Sequence, residues 1–465
     1  MAKFLSAIWN KPFEYELAKL ATTRFRESDK MITSILRTKY FAAALLLLLP
    51  SVASAQDVLN GANTAWILTS TALVLFMTLP GLALFYGGLV RTRNVLSVLM
   101  QCFSIAVVVS ILWLVVGYSI AFGPSESAYW GGLSKMMFNG VVVDSLSDGI
   151  PETVFASFQM TFAIITPALI VGAFAERIKF SAMLLFSALW TLIVYFPVAN
   201  WVWGGGWLGQ MGLIDFAGGT VVHVTAGVGA LVFALVIGQR EGFLTAPIMP
   251  HNLTMSFTGA GMLWVGWFGF NAGSALAADG SAGMAMFVTH ISAATGALTW
   301  MAIEWIKFGK PSGLGAITGM VAGLATITPA SGSVGPAGAL LVGLSGGVVC
   351  YFATIYLKQK IKIDDSLDVF PVHGVGGIVG TLLAGILVSS NLGIFSGNGL
   401  AQGMTMGSQV MVQIIGILSV AAYTGILTFI ILKVVGAITS GIRVTQEEEQ
   451  MGLDITDHDE RGYSL

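Results

Sequence analysis

The sequence predicts an all-α integral membrane protein with eleven transmembrane helices. Its 465 residues are 55% hydrophobic and only 10% charged, with a mean hydropathy of +0.82. Because soluble domains carry about 25% charged residues, so few charges cannot cover a water-soluble surface. The net charge of −2 excludes the basic surface that nucleic acids require. Two cysteines exclude a disulfide framework or a Cys-based metal site.

The first 55 residues differ from the remainder of the chain. Residues 1–30 are polar and mixed in charge, whereas the segment from Met31 to Ala55 combines two basic residues, an apolar run and an Ala-x-Ala ending. This order is typical of a secretory signal peptide. We therefore expect residues 1–55 to comprise an N-terminal extension and a signal peptide that is cleaved after Ala55, with Met31 as a candidate start. A cytoplasmic extension followed by an uncleaved anchor is the alternative.

Eleven apolar stretches follow, each bounded by Gly, Pro or charged residues. A bilayer core about 30 Å thick needs roughly 20 apolar residues per helix. The stretches cover residues 64–89, 95–122, 153–175, 180–200, 218–238, 253–276, 283–306, 314–331, 337–357, 369–389 and 408–438. We expect residues 56–440 to form one transmembrane domain and residues 441–465 to form a polar, acidic tail.

The basic residues predict the orientation of the helices. If the signal peptide is removed, the mature N-terminus lies outside, and eleven spans place the C-terminus in the cytoplasm. Of the 22 Lys and Arg, 14 follow residue 55, and 13 of these fall on the predicted inner side, as the positive-inside rule requires. Only Lys135 falls outside. We expect a multi-pass protein of the cell (inner or plasma) membrane.

A weak internal repeat relates the fifth and tenth stretches. His223-Val-Thr-Ala-Gly matches His373-Gly-Val-Gly-Gly, and each histidine follows an aspartate, Asp215 or Asp368. An offset of five helices inverts the topology, as in transporters whose site lies between two inverted halves. The sequence thus predicts an inverted 5+5 repeat followed by a final helix.

The two histidines at matching repeat positions, His223 and His373, are candidates for a pathway through the membrane. Polar groups in hydrocarbon are costly unless they face the interior of the bundle, and two neutral imidazoles can share a proton. One intramembrane histidine alone would more often be a packing residue. Two histidines without a nearby Cys or carboxylate leave a zinc site short of ligands. We therefore expect no metal and no cofactor, with a bis-His haem as a minor alternative.

Aromatic residues near the predicted outer ends could form a cage for a small cation. Cation–π contacts contribute about 0.5–2 kcal/mol each, and an apolar constriction below the cage would stop a hydrated ion but pass a neutral molecule. The candidates are Phe158, Phe162, Trp203, Trp267 and Phe270.

Asp215 starts the string DFAGGTVVH, which ends at His223. We expect its carboxylate to cap the fifth helix by accepting from the amides of residues 217 and 218. A carboxylate fixed at that position also favours a cation just outside the membrane.

Five strings resemble the ammonium transporter family, in its Amt/Mep branch rather than the related Rh proteins. They are FQMTFAIITPALIVGAFAERIKFSA (158–182), VWGGG (202–206), DFAGGTVVH (215–223), GWFGFNAGSA (266–275) and DVFPVHGVGG (368–377). The resemblance covers residues 60–465. It implies an ammonium transporter, not an enzyme, that forms a homotrimer with one pore per subunit.

The resemblance also implies a role for each candidate residue. His223 and His373 correspond to the twin histidines of the pore, which Trp267 also lines. The phenylalanine gate corresponds to Phe162 and Phe270, with Phe158 beside them. The outer substrate site corresponds to Phe162, Trp203, Ser274 and Asp215, the last being required for substrate binding and deprotonation.

A mechanism follows from combining these roles with the chemistry of the substrate. Potassium has nearly the size of ammonium, so size alone cannot separate them, but ammonium can lose a proton and cross as ammonia. Net proton or charge movement is expected, methylammonium is an expected analogue, and the setting is nitrogen metabolism. The alternative is a receptor-like ammonium sensor, although only about 25 residues follow the last predicted helix.

The acidic tail resembles the cytoplasmic regulatory tail of the family. Gly452-Leu453-Asp454 and His458-x-Glu460 carry this resemblance, whereas Asp459 stands where the family pattern has Gly. A PII-type nitrogen regulatory protein is the partner that the resemblance implies for the inner face. A disordered, solubilising tail is the alternative.

Overall fold

The structure is a computed structural model that describes residues 12–47 and 58–463, and it contains two compact units, Met1–Asp57 and Val58–Leu465. In the first unit, helix α1 (Pro12–Leu47) runs without a break through the polar segment and into the apolar run. The cleavage point predicted after Ala55 lies outside the described residues. The signal peptide therefore stays a prediction.

The second unit is a bundle of long helices. In chain order they are α2 (Gly61–Leu89), α3 (Thr92–Phe122), α4 (Glu152–Phe174), α5 (Phe180–Gln210), α6 (Gly219–Ile237), α7 (Leu253–Gly273), α8 (Gly280–Phe308), α9 (Gly313–Ala330), α10 (Pro336–Ile361), α11 (Phe370–Leu387) and α12 (Met406–Ile438). Within the described residues, ten of them, all but α7, are long and apolar enough to cross a membrane.

The helix bounds agree with the predicted stretches to within a few residues, except that α5 continues to Gln210. Helix α7 coincides with the sixth stretch, but its glycines and small polar residues make it less apolar than the others. The described residues thus contain ten candidate membrane spans, and the eleventh span stays a prediction. The strands β1 (Leu146–Ser147) and β2 (Ile150–Pro151) form a two-stranded antiparallel sheet between α3 and α4.

Successive connections between helices meet at opposite ends of the bundle. At one end, ion pairs join the connections that follow α2, α4, α6, α10 and α12, through Arg91, Glu176, Arg240, Asp364, Arg443 and Glu449. We call this the Arg240 end. At the other end, the connection after α3 bonds to α5, from Trp207 N–H to the oxygen of Ala128 at 3.0 Å. We call this the Trp203 end; its lysine, Lys135, pairs with Glu152.

The ion pairs that Arg240 makes at this end are buried. Arg240 donates to Glu176 Oε2 at 2.9 Å and to Asp364 Oδ1 at 2.8 Å, and Arg91 donates to Glu176 Oε1 at 2.9 Å. Burial alone would raise the pKa of Glu176, but the charges of Arg240 and Arg91 outweigh it and hold this pKa below its ordinary value. Bonds from Arg240 likewise outweigh burial and lower the pKa of Asp364. Both carboxylates are therefore charged in the folded protein.

The acidic tail is folded against the same end. Helices α13 (Gln446–Met451) and α14 (Leu453–His458) each bury one carboxylate. Glu449 accepts from the guanidinium of Arg443 at 2.7 Å, and Asp454 accepts from the N–H groups of Leu96 and Ser97 at 3.1 and 2.7 Å, at the start of α3. The tail is thus anchored by two specific carboxylates and is not a solvated acidic segment.

Asp459 ends α14 in the left-handed conformation, with φ of 53°. Glycine is favoured there because it has no Cβ, but Asp tolerates this region better than most residues. The helix therefore ends in a left-handed turn although Asp459 stands in place of the expected Gly.

Replacing Arg240 by Met should destabilise the protein strongly. The substitution leaves Glu176 and Asp364 buried without their main partner, and breaking such a buried pair lowers the free energy of unfolding by about 3–5 kcal/mol. Titration of the micelle-bound protein with SDS measures this free energy. The exposed Lys310→Met is the control and should change it by less than about 0.5 kcal/mol. Equal effects of the two variants would contradict the account given for Arg240.

Candidate functional site

Helix α6 begins at a carboxylate cap. Gly218 adopts φ of 116°, and after this turn the chain aims four successive N–H groups at Asp215. Its Oδ1 accepts from Gly218 and Gly219 at 2.8 and 2.5 Å, and its Oδ2 accepts from Thr220 and Val221 at 2.8 and 3.1 Å. The predicted capping role and the amide of Gly218 are right, but the other amides are those of residues 219–221 and not that of Ala217, because the left-handed turn at Gly218 lies between Asp215 and the helix. Both carboxylate oxygens thus hold the helix start.

Helix α11 begins in the same way at the opposite end of the bundle. Asp365 Oδ2 accepts from the N–H of Phe370 at 2.7 Å, five residues on, just as Asp215 accepts from Thr220. The sequence analysis paired Asp215 with Asp368; the hydrogen bonds pair it with Asp365. Asp368 instead forms an ion pair with Lys358, at 2.7 and 2.8 Å. The two capping aspartates are therefore separated along the chain by the same offset as His223 and His373.

His223 and His373, which follow the two caps at the same distance along the chain, are in contact in the middle of the bundle. Their Nδ1 atoms lie 3.3 Å apart, and their ring centroids are 5.2 Å apart at an interplanar angle of 25°. Both side chains are buried, with exposed fractions of 1% and 4%. One Nδ1 must donate and the other must accept, so the contact requires one ring to be protonated at Nδ1 and the other to be unprotonated there.

Both histidines lie in π-helical segments, Gly219–Val224 and Phe370–Gly374. Such segments displace side chains from the positions of a regular α-helix and are frequent at functional sites. Nothing in the hydrophobic pattern of either helix indicates them.

Glycines allow α6 and α11 to approach closely enough for this contact. Each histidine is followed four residues later by a glycine, Gly227 or Gly377. A Cβ on Gly227 would clash with the main chain of Gly374, and a Cβ on Gly377 would lie 2.8 Å from the oxygen of Gly219 and from the Cβ of His223. The two glycines therefore set the distance between the imidazoles.

Aromatic rings continue from His223 toward the Trp203 end. The indole of Trp267 is stacked on His223, with centroids 5.5 Å apart, and Phe270 lies 6.1 Å from the same imidazole. Phe270 in turn contacts Phe162, with centroids 4.3 Å apart. These rings close the route between His223 and the Trp203 end.

Trp203 and Ser274 lie beyond the two phenylalanines. Trp203 makes an edge contact with Phe162 at 5.7 Å, and Phe158 contacts Phe162 from another side at 5.0 Å. The indole N–H of Trp203 donates to the main-chain oxygen of Asp215 at 2.9 Å. Ser274 Oγ donates to the oxygen of Phe270 at 2.8 Å. The residues predicted for the outer site are thus neighbours of one another.

Two cavities meet at His373. The narrower one extends from Phe270 past His223 to His373, and no charged side chain of the described residues lines it. Within it, His223 Nε2 is buried without a hydrogen-bond partner. The second cavity opens toward the Arg240 end and is lined by His373, Tyr86 and the Lys358–Asp368 pair. The route is therefore apolar and aromatic on one side of the histidines and polar on the other.

The geometry does not suit a metal or haem. Within residues 12–47 and 58–463, no group of three or more His, Cys, Asp or Glu side chains could hold a metal ion. The two Nδ1 atoms face each other at 3.3 Å, which leaves no space for a porphyrin between the imidazoles. The arrangement instead suits a small molecule that can exchange a hydrogen bond with each ring.

The chain is similar to known proteins along most of its length. The Ammonium Transporter Family model matches residues 65–463. The chain is 46% identical over 394 residues to an ammonium transporter of Bacillus subtilis (strain 168), covering 84% of this chain and 96% of that one. It is 45% identical over 432 residues to an ammonium transporter of Aquifex aeolicus (strain VF5), covering 92% and 100%.

Solved structures of similar fold include Mep2 from Saccharomyces cerevisiae and a protein described as a sensor Amt protein. The first has a TM-score of 0.76 and 36% identity, and the match covers 84% of this chain and 89% of that one. The second has a TM-score of 0.79 and 28% identity, with 85% and 98% covered.

Replacing Asp365 by Asn should change stability in a pH-dependent way. Burial, and then the negative charge of Asp368, raise the pKa of Asp365 to about 6 from its ordinary 3.8. Ionisation thus opposes folding, and wild-type stability falls as the pH rises through this interval. Asn cannot ionise and keeps an acceptor for Phe370 N–H. From pH 4 to pH 7.5, the stability of Asp365→Asn should rise by about 2.5 kcal/mol relative to that of the wild type. SDS titrations at both pH values measure this gain; a pH-independent difference would contradict it.

Proposed function

The chain belongs to the ammonium transporter family, and we propose that it recruits ammonium at the Trp203 end, deprotonates it and conducts ammonia past the twin histidines. The observation that carries this proposal is the contact between His223 and His373 in a narrow cavity that lacks charged side chains. Such a cavity gives a bare cation no compensation for lost hydration. A neutral amine can exchange hydrogen bonds with the imidazoles as it passes.

Recruitment is proposed to occur beside Trp203, Phe162 and Ser274. The two rings offer π-faces to a cation, and the hydroxyl of Ser274 offers oxygen lone pairs. Both carboxylate oxygens of Asp215 accept hydrogen bonds from the start of helix α6. We therefore propose that Asp215 promotes binding and deprotonation through its negative charge and not through direct contact with the substrate. Phe162 and Phe270, with Phe158 behind them, form the gate, and Trp267 lines the pore below it.

Deprotonation provides the selectivity against potassium. Ammonium can leave its proton at the outer site, whereas potassium must enter the apolar cavity as an ion and is rejected. The histidine pair offers the released proton a path of its own, which would give net charge movement. Methylammonium should follow the same route because it also loses a proton to become a neutral amine.

The chain is a multi-pass membrane protein, and we propose its orientation and assembly as follows. The basic connections gather at the Arg240 end, which we place in the cytoplasm, with the Trp203 end outside and α7 as the eleventh span. The caps at Asp215 and Asp365, which share the offset of the two histidines and lie at opposite ends, support the inverted 5+5 repeat. We retain residues 1–55 as an extension and signal peptide of a protein in the cell membrane.

A homotrimer is proposed on the basis of one exposed face. His290 lies in the middle of α8 with an exposed side chain, 5.1 Å from the ring of Trp264 on α7. A polar imidazole that faces lipid is costly, and cover by a neighbouring subunit removes this cost. A sensor role is the second candidate function, favoured by the similarity to the solved sensor Amt protein.

Alanine substitution of either histidine should alter transport selectively. In proteoliposomes, His223→Ala and His373→Ala should reduce or abolish the ammonium-evoked current, because the chain of proton-sharing groups is interrupted. Uptake of labelled methylammonium, with potassium as the competitor, shows whether exclusion of potassium persists. The control is His251→Ala, a histidine outside the cavity that bonds Val90 and Tyr463, which should behave as wild type. Unchanged uptake, current and potassium exclusion in both pore variants would refute the proposed roles.

We also propose that the Arg240 end, with the folded tail, binds a PII-type nitrogen regulatory protein. Removing residues 445–465 takes away Glu449 and Asp454 and should abolish this binding in a pull-down. Ammonium uptake by the same truncated protein in vesicles controls for an intact pore. Undiminished binding would exclude a tail-dependent interaction.

A further inference from the structure

Two buried glutamines of α12 hold the main chain just before Asp215. Gln413 Oε1 accepts from the N–H of Ile214 at 2.9 Å, and its Nε2 donates to the oxygen of Ile214 at 2.8 Å. Gln409, one turn earlier, donates to the oxygen of Gly212 at 2.9 Å and to Gln413 Oε1 at 3.1 Å. Both side chains are buried. The side-chain amide of Gln413 thus forms hydrogen bonds with both the main-chain N–H and the main-chain oxygen of Ile214, as a neighbouring β-strand would.

This clamp acts on the proposed cation site through one residue. Ile214 directly precedes Asp215, whose main-chain oxygen accepts from the indole of Trp203 at 2.9 Å. Gln413 also donates to the oxygen of Thr381 at 2.9 Å, on the helix that carries His373. The side chain therefore ties the start of α6 to α11 and fixes the place from which Trp203 is held.

The position equivalent to Ile214 at the other end of the bundle is Asp364, which directly precedes the capping Asp365. Its main-chain oxygen also accepts from a buried side chain, but the donor is Arg177 Nη2, at 2.6 Å. Burial lowers the pKa of Arg177 to about 10, which leaves it charged at neutral pH. At both ends a buried side chain therefore donates to the main-chain oxygen of the residue before the cap, a guanidinium at Asp364 and a neutral amide at Ile214, and only the amide also accepts from the main-chain N–H.

We propose that Gln413 is a positioning residue for the outer cation site. It orders the Ile214–Asp215 segment while adding no positive charge beside the place where ammonium is recruited. An arginine in this position could donate to the oxygen of Ile214 but could not accept from its N–H, and its charge would repel the cation. The proposal rests on the proposed function, since it assumes that the Trp203 end binds ammonium.

Gln413→Met tests the proposal, because it keeps the approximate volume of the side chain but removes all four of its hydrogen bonds. The KM for methylammonium in proteoliposomes should rise roughly five- to tenfold, in line with the loss of hydrogen bonds at a buried site, while the maximal rate per folded transporter stays within about twofold. Hydrogen exchange at the amides of residues 212–221 should also become faster.

Thr428→Val is the matched control on the same helix. It removes the hydrogen bond from Trp190 Nε1 to Thr428 Oγ1, 2.9 Å long and equally buried, but leaves the 212–215 segment untouched. Its KM and its exchange at 212–221 should equal those of the wild type. If Gln413→Met fails to accumulate, Gln409→Met removes only the bonds to Gly212 and Gln413 and should give smaller shifts in the same direction.

The two measurements separate the possible failures. Unchanged exchange at 212–221 in the glutamine variants overturns the clamp, and faster exchange with an unchanged KM overturns its role in substrate positioning. A fall in maximal rate with unchanged KM, or the same KM shift in Thr428→Val, reduces Gln413 to a structural residue. Absence of uptake by the wild type refutes the proposed function instead, and the exchange measurement then still decides whether the clamp exists.

Discussion

The close approach of α6 and α11 is the contact on which the central arrangement depends. Two imidazoles can share a hydrogen bond in the middle of an apolar bundle only if the backbones that carry them come within the reach of short side chains. Gly227 and Gly377 allow this approach, because each lies where a Cβ would meet the opposite helix. The π-helical segments then turn His223 and His373 toward each other. Neither device suffices alone, since the glycines set the separation and the π-segments set the direction.

The caps at Asp215 and Asp365 fix where these two helices begin. A helix that starts inside a membrane protein exposes unpaired N–H groups, and burying them without partners is costly. Asp215 satisfies four amides from a single carboxylate, so the phase of α6 is fixed from its first turn to His223. The same distance along the chain separates Asp365 from His373. The histidines are therefore held in place from opposite ends of the bundle.

The sequence predicts the helices and the members of the site better than it predicts their connections. Length and hydropathy identify the helices because a bilayer imposes both. The four-residue spacing of Phe158 and Phe162 also indicates that these two rings share a helix face. Adding the number of residues between the two histidines to the position of Asp215 gives Asp365. The sequence analysis paired Asp215 with Asp368 instead, because Asp368 is nearer to the second histidine. The π-segments and the bonds of Gln413 leave no trace in hydropathy, since they depend on which backbone groups remain unpaired after the helices pack. Glu449 and Asp454 look like parts of an acidic tail until their buried partners are known.

Charge distinguishes the two ends of a bundle whose capped helices are otherwise alike. At the Arg240 end, buried guanidinium groups organise the connections, and their cost is offset by Glu176 and Asp364. The same solution at the Trp203 end would place a fixed positive charge near Asp215 and would work against a site for a cation. If both halves of the repeat used a guanidinium at this position, the positive charge would therefore oppose cation binding at the Trp203 end. Helix α12 lies outside the proposed 5+5 repeat and carries Gln409 and Gln413. The neutral side chains that hold the Ile214–Asp215 segment therefore come from a helix that has no counterpart in the other half of the repeat.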